Sequence, residues 1–289
     1  MLGELCSSQI MAHAFIGGAI VSVVAGSVGY FLVLRAQAFV AEAFTDIGFA
    51  GATGAALLGV GSLVGMIVFS LLAAAGLGML GKRVRGRDVE VGMVLSFALG
   101  LGVLFLSIYS RTSGSHAMSG INILFGSMLT INSTDILAAL ATCATALGAL
   151  AILYRPLLFA SVDPAGAEAR GVPMRALSAA FLAIVALTTA ACVLLVGILL
   201  TASLLIAPAA AAVNLTNRPA RAIALSVAAA VGVTWVGLIL TFAGTIRHLP
   251  AGFYISALAA LTYTASLLLR KRLRPVRAFE RAHLDRETG

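Results

Sequence analysis

The chain has 289 residues, of which 61% are hydrophobic and only 10% charged, with a mean hydropathy of +1.06. Soluble domains carry about 25% charged residues, so a water-soluble globular protein is excluded and an integral membrane protein is expected. The net charge of +8 does not point to nucleic acid, because the Lys and Arg residues stand in short clusters between apolar runs and at the C-terminal end, as in a multi-pass membrane protein, and form no basic face interleaved with aromatics.

A bilayer core takes about 20 apolar residues per helix, and the chain divides on that ruler. The first span covers 12–34 and stops at Arg35; without a basic leader region it reads as a retained helix. The second covers about 38–57 and the third about 59–81. The loop 82–88, KRVRGRD, holds four positive charges against one negative and is expected in the cytoplasm. A fourth span at 90–109 leads to a long polar connection, about 110–135, whose apolar middle at 121–129 is too short to cross and is expected to dip back toward the membrane. The fifth span, 136–154, ends at Arg155-Pro156.

The segment 157–177 is the one sizeable charged, amphipathic interior stretch. Asp163-Pro164 predicts a helix start with Pro in the first turn, and Gly171-Val172-Pro173 its stop. A short interfacial helix of about two turns is the bland expectation. The sixth span, 178–200, runs into 201–218, where Pro208 interrupts a run of small residues; a kinked, tightly packed helix is expected there. Spans at 221–243 and 252–269 and a basic tail complete the chain. The fold class is therefore all-α, a polytopic membrane helical bundle of 8–9 transmembrane helices in one domain, 1–289. The tail, 270–289, places the C-terminus in the cytoplasm, and the nine-span count puts the N-terminus outside and Arg35 inside.

Within this apolar chain Glu42 and Asp46 stand out. They lie four residues apart and so share one helical face. The other acids fall in termini, expected loops or, for Glu90, a helix start, where negative charge faces the positive end of the macrodipole. An ionisable group at membrane depth costs roughly 2.5–3.5 kcal/mol and normally faces a bundle interior or a water-filled path. Counting ~1.5 Å of rise per residue from Arg35 puts Glu42 on the order of 10 Å and Asp46 on the order of 16 Å into the membrane. The pair marks the route of a cation. His13, His116, His248 and His283 read as interfacial or exposed, with His116 and Met118 the ones placed to meet a metal at an outer mouth. Trp235 reads as core, Cys6, Cys143 and Cys192 as small packing residues, and the glycines at 17, 18, 26 and 29 as close-packing positions.

Taken together, Leu34-Arg35, Glu42, Asp46 and Gly51, followed by RDVEVGMVLSF, LFGSMLTIN, SVDPAGAEARGVP, GILLTASLLIAPAAAA and LPAGFYIS in that order, resemble the permease subunits of bacterial ABC importers for zinc, manganese and iron(II). The resemblance runs from about 12 to 270 and implies a type II importer-like permease in the bacterial cytoplasmic (inner) membrane. It implies a cytoplasmic ABC ATPase, an extracytoplasmic metal-binding protein and a second permease copy or paralogue as partners. No cofactor is held permanently; the transported divalent metal is the substrate. Glu42 carries over as a carboxylate ligand, and Asp46 occupies the place of the family's usual histidine. This exchange of nitrogen for oxygen favours manganese over zinc. Asp163, Pro164, Glu168, Arg170, Gly171, Val172 and Pro173 are similar to the coupling helix, about 163–173, that docks on the ATPase. The chain itself has no phosphate-binding GxxxxGK[ST] loop and is expected to be a transport subunit rather than an enzyme. The alternative is a secondary transporter that uses Glu42 and Asp46 as proton- or cation-coupling carboxylates. It predicts a second acidic or polar layer in the C-terminal half, and no acid occurs in the spans after 178.

Overall fold

The computed structural model describes residues 9–79, 88–112, 133–243 and 251–287, and within them the chain is helical with no strand. In chain order the helices are α1 (Gln9–Leu34), α2 (Ala38–Leu57), α3 (Ser62–Met79), α4 (Asp88–Thr112), α5 (Ser133–Val162), α6 (Pro164–Ala169), α7 (Met174–Val196), α8 (Ile198–Leu215), α9 (Pro219–Ala243) and α10 (Ala251–Glu287). Six of them, α1, α4, α5, α7, α9 and α10, are long and apolar enough to cross a membrane by length and composition. Two more contain shorter apolar stretches, Ser62–Leu77 and Leu200–Leu215. The carboxylate helix α2 has 20 residues, enough to cross, but stays outside the six. Two acids lower its hydropathy, and such a helix is tolerated at depth only when other helices shield it.

That shielding is what the packing supplies. Most of α1 and α7 is buried, whereas α4, α5 and α10 bury less than a quarter of their apolar windows and form the outer wall. α2 packs against α3, α4, α7 and α8. Phe49 and Ala52 of α2 join Met66, Ala190, Val193 and Ile198 in one cluster, while Phe44 and Ile47 join the main core around Phe31, Phe181 and Leu205.

Lipid is as apolar as leucine, so helices here associate through close contact and interhelical hydrogen bonds rather than through flight from water. The glycines show where. A Cβ on Gly26 would stand 2.8 Å from Cα of Val227, and one on Gly29 would collide with the carbonyl oxygen of Leu205. Gly51 and Gly65 face each other in the same way across α2 and α3. Beside these contacts Ser22 and Thr234 share a 2.8 Å hydrogen bond, and Ser226 donates to the carbonyl of Gly26 at 2.8 Å.

The same contacts fix helix directions. Ser22 with Thr234 and Gly26 with Val227 make α1 and α9 antiparallel. Gly48 beside Ser70 and Gly51 beside Gly65 make α2 and α3 antiparallel, while Phe49 beside Gly102 and Gly54 beside Phe105 make α2 and α4 parallel. Leu200 lies against Gly252, and Asn214 donates to Ser266, so α8 and α10 run parallel.

Several expected boundaries move. α5 does not end at Arg155-Pro156 but continues to Val162 with Pro156 inside it. Proline forfeits one backbone bond, and Leu157 and Ala160 beyond it are buried in the core and hold the last turns in place. The sixth span ends at Val196 rather than 200, because Gly197 adopts φ 91°, ψ 165°, a region open essentially to glycine alone. Gly197 is at once the cap of α7 and the N-cap of α8, so the helices join without a loop. Pro208 consequently lies within α8 and does not interrupt it. Trp235 is not core: it is 45% exposed on α9, edge-on to Phe15 at 6.2 Å. The basic loop 82–87, the re-entrant stretch 121–129, Cys6, His116, Met118 and His248 lie outside the described residues.

Candidate functional site

α2 begins where α1 ends, and the corner between them is tightly closed. The N–H of Ala36 donates to the carbonyl of Val33 and that of Gln37 to the carbonyl of Leu32, the pair of hydrogen bonds that ends a helix in a left-handed residue. That residue is Ala36 at φ 54°, not glycine. Gln37 then serves as N-cap without a side-chain bond, its carbonyl accepting from Val40 and Ala41. Helix periodicity does the rest, placing Glu42 in the second turn and Asp46 one turn deeper.

Asp46 is 5% exposed and Glu42 half-buried. Among the described residues no hydrogen-bond donor meets either carboxylate and no group of three or more His, Cys, Asp or Glu side chains is placed to hold a metal ion. One chain therefore offers two carboxylates on one face, a hard, all-oxygen and incomplete donor set. The neighbouring hydroxyls do not complete it: Thr45 and Thr53 donate to the carbonyls of Ala41 and Phe49 in their own helix.

Below the pair, at the α1–α2 corner, Arg35 turns inward. Its Nη2 donates to Oγ of Ser178 at 3.0 Å and its guanidinium carbon lies 5.1 Å from the Phe181 ring centre. Nη1 of Arg35 and Oε1 of the buried Gln37 have no hydrogen-bond partner. Each such buried group costs about 1–3 kcal/mol.

The short helix α6 forms where Asp163-Pro164 predicts it. Asp163 caps it by accepting from the N–H of Gly166 at 2.9 Å, with Pro164 in the first turn. It ends with Gly171 at φ 80°, where the N–H groups of Gly171 and Val172 bond the carbonyls of Glu168 and Ala167. Ala167 is buried and anchors it, and Arg170 lies 5.1 Å from the Phe159 ring centre of α5. Asp163, Pro164, Glu168, Arg170, Gly171 and Pro173 stand exposed, with Val172 packed on the core. Pro208 is buried in α8, and one turn before it the Leu205 carbonyl is the one α1 approaches through Gly29. The fold thus brings Glu42 and Asp46 together on α2 and gathers 163–173 into a largely exposed surface, while Pro208 lies buried within α8.

Arg35, Gln37 and Gly197 escape a reading of the sequence. An Arg after an apolar run looks like a surface anchor, and only Gly197, a glycine between two apolar helices, carries a local signal for its role.

With this geometry in place, a family model described as the ABC 3 transport family matches residues 7–270. The chain belongs to the ABC 3 transport family. This family member is similar to the manganese transport system membrane protein MntC of Listeria innocua, at 27% identity over 92% of this chain and 93% of that protein. It is also similar to the manganese import system permease protein ScaB of Streptococcus gordonii, at 27% identity over 92% and 93%. Among solved structures it resembles PsaBC from Streptococcus pneumoniae in complex with Fab, with TM-score 0.80, 27% identity and 92% and 95% coverage. The resemblance expected from the motifs holds along nearly the whole ABC 3 chain, and with it the all-helical permease fold.

Proposed function

We propose that this chain is the transmembrane subunit of an ABC importer that moves a divalent transition metal, manganese ahead of zinc or iron(II), inward across the cytoplasmic membrane while a partner subunit hydrolyses ATP. The observation that carries this reading is the family match over residues 7–270, which takes in both the carboxylate helix and α6, joined by relatives named for manganese transport that align over 92% of the chain. The donor set agrees: two carboxylates and no imidazole suit manganese(II) better than zinc, which prefers nitrogen and sulfur.

The incompleteness of the site in one chain argues for a second permease copy or paralogue across the path. Two facing copies would bring four carboxylates to one layer, a strongly repulsive arrangement that a divalent cation relieves. The exposed 163–173 surface is the dock for the ATPase, and an extracytoplasmic metal-binding protein would deliver the ion to the opposite mouth. Nine crossings fit this scheme best. α8 runs beside α10 from Leu200 near Gly252 to Asn214, whose Oδ1 accepts from Nη1 of Arg270 at 2.8 Å. It therefore matches the apolar length of a helix that can itself cross. With α8 counted, the helix directions alternate from an outside N-terminus to a cytoplasmic C-terminus. A secondary transporter gains no support, since no acid occurs from 174 to 270.

The test is accumulation of radiolabelled manganese and zinc by cells expressing the chain with its ATPase and binding protein. Wild type should take up manganese in an ATP-dependent manner, Asp46→Ala should abolish uptake, and Asp46→His should shift preference toward zinc. Normal uptake by Asp46→Ala would remove the carboxylate pair from the path, and uptake driven by an ion gradient without ATP would restore the secondary-transporter reading.

A further inference from the structure

The importer reading leaves open how an event at the exposed α6 surface reaches the carboxylates on α2, which sit on a different helix pair. We propose that Arg35 is a positioning residue that ties the start of α7, and through it α6, to the start of α2, so that movement at α6 is passed to Glu42 and Asp46. This inference rests on the importer reading.

Each joint along the route is closed by a specific contact. α6 ends in the paired bonds from Gly171 to Glu168 and from Val172 to Ala167, Val172 packs on the core, and Pro173 fixes the backbone at φ −73° before α7 begins. Leu177 N–H bonds the Pro173 carbonyl, so the first turn of α7 is continuous with that junction. One residue further on, Ser178 Oγ receives Nη2 of Arg35 at 3.0 Å, and Phe181, on the same face of α7, has the guanidinium carbon over its ring at 5.1 Å from the centre. On the other side Arg35 N–H is held by the Phe31 carbonyl, and Gln37 is bonded both back to Leu32 and forward to Val40 and Ala41. No free joint separates the guanidinium from the second turn of α2, where Glu42 sits.

The chemistry suits the task. α7 also packs directly on α2, but apolar surfaces can slide past each other, whereas a guanidinium hydrogen-bonded to Ser178 and lying over the Phe181 ring is held at two points. The corner is also poised to rearrange. Arg35 keeps a donor, Nη1, and Gln37 an acceptor, Oε1, both buried and unpartnered only two residues apart. Each of these two groups carries the cost of an unmade hydrogen bond as it stands, so a rearrangement of the corner that partners either one is favoured rather than opposed.

The experiment uses the full complex of permease, ATPase and binding protein in proteoliposomes and reads manganese transported per ATP hydrolysed, with manganese binding to the complex measured alongside. Arg35→Ala should lower the transported-to-hydrolysed ratio by about tenfold or more while hydrolysis and manganese affinity each stay within about twofold. Ser178→Ala, which removes only the acceptor and guards against misfolding of the arginine variant, should lower the ratio in the same direction by less. The double variant should be no worse than Arg35→Ala alone. An unchanged ratio in both single variants overturns the link, as does a proportional fall of transport, hydrolysis and binding together, which would mark Arg35 as merely structural. Absence of ATP-dependent uptake by wild type overturns the importer reading itself, a result distinct from a wild type that works and variants that stay coupled.

Discussion

At Asp46 a formal charge is set among Phe44, Ile47 and Phe49, all buried, and it has no hydrogen-bond donor among the described residues. Such an arrangement is costly, and the proposed function gives it a use, since a cation passing Asp46 would offset the cost. A few positions away Ala36 carries a smaller strain, its φ of 54° being one that glycine adopts freely. Ala36→Gly should raise stability by about 1 kcal/mol, visible as a higher midpoint of thermal unfolding in detergent; a lower midpoint would mean that the alanine methyl has a role. Legibility differs sharply between neighbours here. Glu42 and Asp46 can be read from the chain because charge inside an apolar run is a strong local signal. The inward turn of Arg35 cannot, because its burial depends on Ser178 and Phe181, the former 143 residues away.

The helices themselves follow from apolar runs of sufficient length, and α6 from its cap and stop residues. Their ends are less legible in the chain because proline and glycine act through their surroundings. Pro156 and Pro208 look like breaks but are carried through by buried residues on either side, while Gly197, unremarkable in composition, takes a backbone conformation that separates α7 from α8. Pairing is equally specific. Gly51→Ala would push the new methyl into the Gly65 carbonyl and to 2.8 Å from Cβ of Phe69, and overpacking of this kind costs roughly 1–3 kcal/mol. Gly76→Ala meets nothing within 4 Å and should leave stability unchanged or raise it slightly. Thermal unfolding of the two variants side by side checks this; equal behaviour would mean that α2 and α3 separate freely at that contact.

In the whole molecule the buried pair α1 and α7 forms the axis, α2 is held against it, and the helices with lipid-facing apolar sides surround them. The match to the ABC 3 transport family and the similarity to PsaBC give this arrangement its transport context. Under the proposed importer function the two carboxylates of one chain would be only part of an oxygen site for manganese, and a second chain would supply the rest. The most direct measurement is a manganese(II) titration of the purified permease–ATPase complex by electron paramagnetic resonance, in which bound ion loses the sharp signal of free ion. One tightly held manganese ion per two permease chains is the expected result, with binding weakened by about tenfold or more in the isosteric Asp46→Asn and Glu42→Gln variants while the assembly stays intact. Binding of equal strength and stoichiometry in those variants would contradict it.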